Sequence, residues 1–183
     1  MLTKSTKPGK LKLGSAMLDE NEKLLWRGRS SQIINLPFFI LCLGIAIASV
    51  FVKVFLAEYF EGKIPYLNYF PLVVSGIASF WALWIWLGTY LNTYEITTER
   101  FFETSGVLNR DKEEVELYRV KDTSEPKPFF LRLFGLGNVI ILSSDKTAPK
   151  AVIYAVKNNT RIRNILRKQV ELARQRKGVR ELD

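Results

Sequence analysis

The chain has 183 residues, with 27 Lys or Arg against 18 Asp or Glu for a net charge of +9, one cysteine and no histidine. A lone thiol excludes an intramolecular disulfide, and the missing histidines exclude a Cys/His zinc site and the commonest general base. The near-zero mean hydropathy averages two apolar segments with a polar, basic remainder, and the length fits a membrane anchor plus one small domain.

Residues 1–32 read as a cytoplasmic basic N-terminal segment with an interfacial stretch. Met1 to Gly14 is made largely of Lys, Ser, Thr, Pro, Gly and Leu and has little reason to fold. Its Lys4, Lys7, Lys10 and Lys12 suit a cytoplasmic location and would attract anionic lipid. The first 29 residues carry seven basic residues and no short apolar core followed by a small-residue cleavage site, so the later apolar runs are expected to stay in the mature protein. Leu24, Leu25 and Trp26, followed by Arg27 and Arg29, form a patch that suits a bilayer surface and equally suits packing against the domain that follows.

Residues 33–91 predict two transmembrane helices, about 33–57 and 70–91, joined by a short outer loop. The first uncharged run covers 23 positions from Ser30 to Val52, and the second runs from Ile64 to Tyr94 with its most apolar part at Phe70 to Leu91. Twenty-two helical residues rise about 33 Å, enough for a hydrocarbon core of roughly 30 Å. Seven basic residues precede the spans and eighteen follow them, against Lys53 and Lys63 at or between them, so both termini are expected in the cytoplasm. Gly62 and Pro65 fit a turn, Tyr59, Tyr66 and Tyr69 an outer aromatic belt, and Trp86, Tyr90 and Tyr94 an inner one. Gly44 with Ala48, Ser75 with Ser79, and Ala78 with Ala82 repeat small residues at four-residue spacing, which allows close helix contact within a chain or between chains.

Residues 92–183 predict a cytoplasmic domain. The stretch TYEITTERFFETSG reads as two strands with a polar break near Thr98 and Glu99, and in EVEL the residues Val115 and Leu117 share one face of a half-buried strand. An extended stretch then leads into FFLRLFGLG. Asn138–Ser144 and Ala151–Val156 are further strands with a turn between them. The chain closes on an amphipathic basic helix, with Asn159 as its cap, Gly178 as its stop and a stripe of Ile162, Ile165, Leu166, Gln169, Val170 and Ala173.

The segments NEKLLWRGR, YEITTERFFETSGVL, VELYRVKDT, RLFGLGNVIILSSD and IRNILRK, in this order and with two spans between the first two, resemble the bacterial pleckstrin-homology-like membrane proteins. The resemblance covers roughly Glu20 to Val170. It implies a membrane α-helical hairpin plus an α+β cytoplasmic domain, a pleckstrin-homology-like antiparallel β-sandwich or partly open barrel with a C-terminal helix. It also implies membership of a bacterial cytoplasmic (inner) membrane, a tendency to assemble, and no established cofactor. Eukaryotic relatives of the fold bind phosphoinositides through a basic loop between the first two strands. Here that loop is TTER, whose sole basic residue is Arg100, so the lipid-headgroup analogy is weak.

No phosphate-cradling loop, nucleophile elbow or metal triad is present, and Glu113, Glu114 and Glu116 read as a solvated strand face. The expectation is therefore a non-enzymatic membrane protein with no catalytic, metal or cofactor residues and no nucleic-acid partner. It would be a self-associating scaffold or interaction module, with Gly44, Ala48, Ser75, Ser79 and Ala82 at helix or oligomer contacts. The alternative is recognition of anionic lipid or a partner peptide, accessory to another membrane protein, with Trp26, Arg27, Arg29, Trp86, Tyr90 and Arg100 at the lipid.

Overall fold

The computed structural model describes residues 11–13, 16–18, 22–59 and 69–178. The chain divides into two units, Gln32–Tyr90 and the remainder, formed by Met1–Ser31 with Leu91–Asp183.

In the first unit a 3-10 turn, Gln32–Asn35, leads into α1 (Leu36–Tyr59), and α2 (Phe70–Leu91) follows. The expected turn at Gly62 and Pro65 and the belt position Tyr66 lie outside the described residues. Neither helix has a polar face, and large apolar side chains such as Phe51, Phe55, Leu72 and Phe80 are exposed around both. By length and composition both helices can cross a membrane, and little of either is buried within the protein, unlike the core helix of a soluble domain.

The second unit begins with a small hairpin of β1 (Leu11–Leu13) and β2 (Ala16–Leu18). Its main body is two antiparallel sheets. One has the order β3 (Leu24–Arg29), β4 (Thr93–Thr97), β5 (Arg100–Ser105), β6 (Asp111–Glu116), and the other β7 (Val120–Ser124), β8 (Leu136–Ser143), β9 (Lys150–Lys157). A short helix α3 (Phe129–Leu133) joins β7 to β8, and α4 (Asn159–Lys177) ends the domain. The core draws Tyr94, Ile96, Phe101 and Val115 from one sheet, Val139, Ile141 and Ile153 from the other, and Ile162, Leu166, Val170 and Ala173 from α4. These α4 positions recur at helical spacing, so one stripe buries against β7, β8 and the turn at 117–119 while the arginines stay outside it. The result is a PH-like sandwich that is not closed into a barrel, because the two sheets share no ladder.

Two readings change, those of Asn159 and Tyr94, and two stretches that the sequence leaves open, Leu24–Arg29 and FFLRL, gain an assignment. The stretch Leu24–Arg29 is an outer strand of the first sheet, paired antiparallel with β4 from Leu24↔Thr97 to Arg29↔Thr93. Trp26 and Gly28 face the core and Arg27 and Arg29 face outward, while a register shift between Leu24 and Trp26 turns Leu24 to the other face of the sheet, where it packs against Phe102. The residue capping α4 is Asn158 in the left-handed conformation, while Asn159 is the first helical residue and is buried. Gly178 does end the helix, at φ +67°. The FFLRL stretch is helical, and Tyr94 lies in the domain core rather than in an aromatic belt.

Because β3 and β4 are neighbours, the two apolar helices are an insertion inside the first hairpin of the sandwich. Beside that insertion the two sheets meet at one corner, where the Ser31 backbone N–H donates to the Ala155 carbonyl at 3.0 Å. Ala155 adopts φ +47°, rare for a residue with a side chain, at an irregularity where the β8–β9 register shifts. Its N–H donates to Asn138 Oδ1 at 2.9 Å, which satisfies a donor that the bulge takes out of the ladder.

Candidate functional site

The expected site residues fall on two surfaces, and a third surface carries none of them. On the helical unit, an apolar groove of about 310 Å³ is lined by Phe38, Leu41, Cys42 and Ile45 of α1 and Val74, Ile77, Ala78 and Trp81 of α2. None of Gly44, Ala48, Ser75, Ser79 or Ala82 lines it. Gly44, Ala48 and Ser79 are exposed, Ser75 and Ala82 half-buried, and a side chain added at Gly44 would meet nothing within 4 Å. Gly44 and Ala48 thus leave small exposed positions on α1, and Ser79 leaves one on α2. A polar cluster sits at the start of α1, where Gln32 Nε2 donates to the Trp86 carbonyl at 3.0 Å and Asn35 Nδ2 donates to Thr89 Oγ1 at 2.7 Å. Trp86 and Tyr90, one helical turn apart, stack at 5.2 Å and stay exposed, as an apolar ring with a polar edge does at a lipid boundary.

The second surface is the outer face of the four-stranded sheet. Trp26 was one of the candidates for lipid contact, but β3 turns its indole inward, where it lies over the bare Cα of Gly28 and packs against the core. Arg27 points outward and its Nε lies 3.2 Å from the carboxylate of Glu95, a side chain only 1% exposed. Arg29 is exposed at the end of the strand. Arg100 is drawn into ion pairs with Glu22 at 3.4 Å and Glu114 at 3.6 Å, and its guanidinium lies over the Phe102 ring. Lys112 covers the same ring at 4.2 Å. Trp26 and Arg100 are therefore engaged within the domain, Trp26 by the core and Arg100 by Glu22 and Glu114. On the inner face, Tyr94 accepts hydrogen bonds from Ser30 and Asn92, and burial raises its hydroxyl above the usual phenol range. Burial also raises the Glu103 carboxyl, with repulsion from Glu113 directly across the ladder adding to it.

The third surface was not visible in the sequence. In α3, Leu131 is buried while Phe129, Phe130 and Leu133 are exposed, and Arg132 lies over the Phe129 ring. Beside it is an open depression of about 830 Å³ lined by Lys127, Gly135, Asn158, Asn159, Thr160, Arg161, Asn164, Ile165 and Lys168. Among the described residues, no group of three or more His, Cys, Asp or Glu could hold a metal ion.

A four-stranded and a three-stranded antiparallel sheet, closed at one end by a C-terminal helix, define a PH-like domain. The sequence matches the bacterial PH domain family over residues 32–170, and the chain belongs to that family. PH domains are generally non-catalytic interaction modules. Comparison with curated proteins and with solved structures returns no match.

Proposed function

We propose that the protein is a non-enzymatic, membrane-anchored PH-like module that self-associates at the cytoplasmic face of a bacterial inner membrane, with both termini in the cytoplasm. The observation that carries this reading is the insertion of two membrane-length apolar helices between adjacent strands β3 and β4. The domain is thereby tied to the spans through two adjacent strands of one sheet rather than through one terminal tether, which keeps it close to the domains of neighbouring copies in the membrane plane. The exposed small residues, Gly44 and Ala48 on α1 and Ser79 on α2, suit close approach by a helix of another copy. The basic excess on both sides of the spans supports the cytoplasmic placement.

The native mass of the full-length protein, extracted in mild detergent and again in nanodiscs, tests self-association. The expected result is a defined homo-oligomer whose mass falls on Gly44→Leu or Ser79→Leu, because a leucine holds the helices apart. A monomer in both media rejects self-association.

A further inference from the structure

The domain has a definite end at which the chain leaves for α1 and returns from α2. Arg29 pairs with Thr93 and Thr93 with Thr104, so the β5–β6 turn lies at that end. Ser31 bonds to Ala155, Leu136 pairs with Lys157, and the Asn138 N–H donates to the Pro126 carbonyl. The start of α4 and the whole of α3, which spans from the end of β7 to the start of β8, are therefore at the same end.

This end is apolar where a water-facing surface would be polar. Phe129, Phe130 and Leu133 are 67%, 74% and 72% exposed, and Leu108 at the tip of the β5–β6 turn is 83% exposed. Three large apolar side chains exposed on a five-residue helix are a concentrated patch, and such patches mark contact surfaces. The helix itself is firmly placed. Leu131 anchors it inward, and Gly135 at φ +67° ends it, its N–H donating to the Arg132 carbonyl at 3.0 Å. The patch is rimmed by cations. Arg132 projects from α3, and the adjoining depression is walled by Lys127, Arg161 and Lys168 with no acidic residue. Aromatic and leucine side chains surrounded by Lys and Arg are what an interfacial element presents to a bilayer with anionic headgroups.

We infer that α3 is an interfacial membrane contact, inserting Phe129, Phe130 and Leu133 among the headgroups and upper acyl chains of an anionic bilayer. This rests on the reading that α1 and α2 cross that bilayer. One residue, Asn92, separates α2 from β4, and a four-residue turn precedes α1, so the patch lies at the end of the domain from which the chain leaves for the spans. The occupant is lipid rather than protein because of that continuity and because the depression beside α3 is lined by cations without an acidic residue.

The test places an environment-sensitive NBD label at Phe130→Cys in a full-length Cys42→Ala protein, in nanodiscs of equal phosphatidylglycerol and phosphatidylcholine. Lys146→Cys, in the β8–β9 turn at the opposite end, is the control. The expected result is blue-shifted emission at position 130, quenched at least twofold more by doxyl-labelled lipid than at position 146 and protected from aqueous iodide. Lys127→Glu with Arg161→Glu should weaken that lipid quenching. Equal iodide quenching at both positions, in protein that resists alkaline extraction from vesicles, overturns the inference and leaves the spans intact. A blue shift without lipid quenching assigns the patch to another protein surface and overturns it too. Release of the protein by alkaline extraction rejects the spans themselves.

Discussion

Removing the Asn138 side chain should open the corner where the two sheets meet beside the helical insertion. Asn138 Oδ1 accepts the N–H of Ala155 at 2.9 Å, and Ala155 is fully buried, so no water can replace the lost acceptor. An unsatisfied buried donor costs about 1–3 kcal/mol. The left-handed backbone of Ala155, itself unfavourable by roughly 1–2 kcal/mol, would also lose the bond that helps to hold it. A loss of about 2 kcal/mol is expected for Asn138→Ala, which for a chain of this size lowers the midpoint by about 4–8 °C. Thermal unfolding of the full-length protein in nanodiscs, followed by near-UV circular dichroism, reads this directly. Asn138→Asp keeps an acceptor oxygen and should lose less than half as much. A change under about 0.5 kcal/mol for Asn138→Ala, or equal losses for the two variants, refutes the argument that the hydrogen bond to Ala155 holds the corner.

Two further outcomes follow from the packing. Gly28→Ala would place a methyl group inside the Trp26 indole, so the ring must leave the core. The expected signs are a stability loss of about 1–3 kcal/mol and a red shift in tryptophan emission, and unchanged emission would mean that Trp26 does not lie over the strand. Glu103 is held above its ordinary carboxyl range by burial and by Glu113, so the folded state binds its proton more tightly than the unfolded state. Its ionisation therefore destabilises the domain above the folded pKa, and that penalty is relieved as pH falls through it. Glu103→Gln should stabilise the protein at neutral pH, with the advantage shrinking on acidification. An advantage that is constant with pH would mean that the effect is not one of charge.

Much of the architecture was legible because it is periodic. The two helices announce themselves by uninterrupted apolar length, and α4 by nineteen residues with a buried stripe and a terminal glycine. The strand Leu24–Arg29 was not, since its partner β4 lies beyond the whole helical insertion and a Trp followed by arginines looks the same at a membrane surface as on a strand edge. Tyr94 shows the same ambiguity at the other junction, where one residue separates helix from strand. Arg100 looked available for lipid, yet Glu22 and Glu114 reach it only through tertiary pairing. The α3 surface was hidden for a different reason. A five-residue helix is too short to establish a period, and FFLRLF reads as core until the fold shows that Leu131 alone is turned inward among its exposed aromatic neighbours.

The central claim is that two helices cross the membrane from within the first hairpin of a cytoplasmic PH-like domain. Labelling of intact cells with a membrane-impermeant maleimide tests it most directly, using single cysteines in a Cys42→Ala background at Lys63 between the spans, Lys12 before them and Lys146 in the domain. The account predicts that position 63 labels in intact cells while positions 12 and 146 label only after lysis. Equal labelling at all three positions, or labelling of 146 without 63, would contradict it.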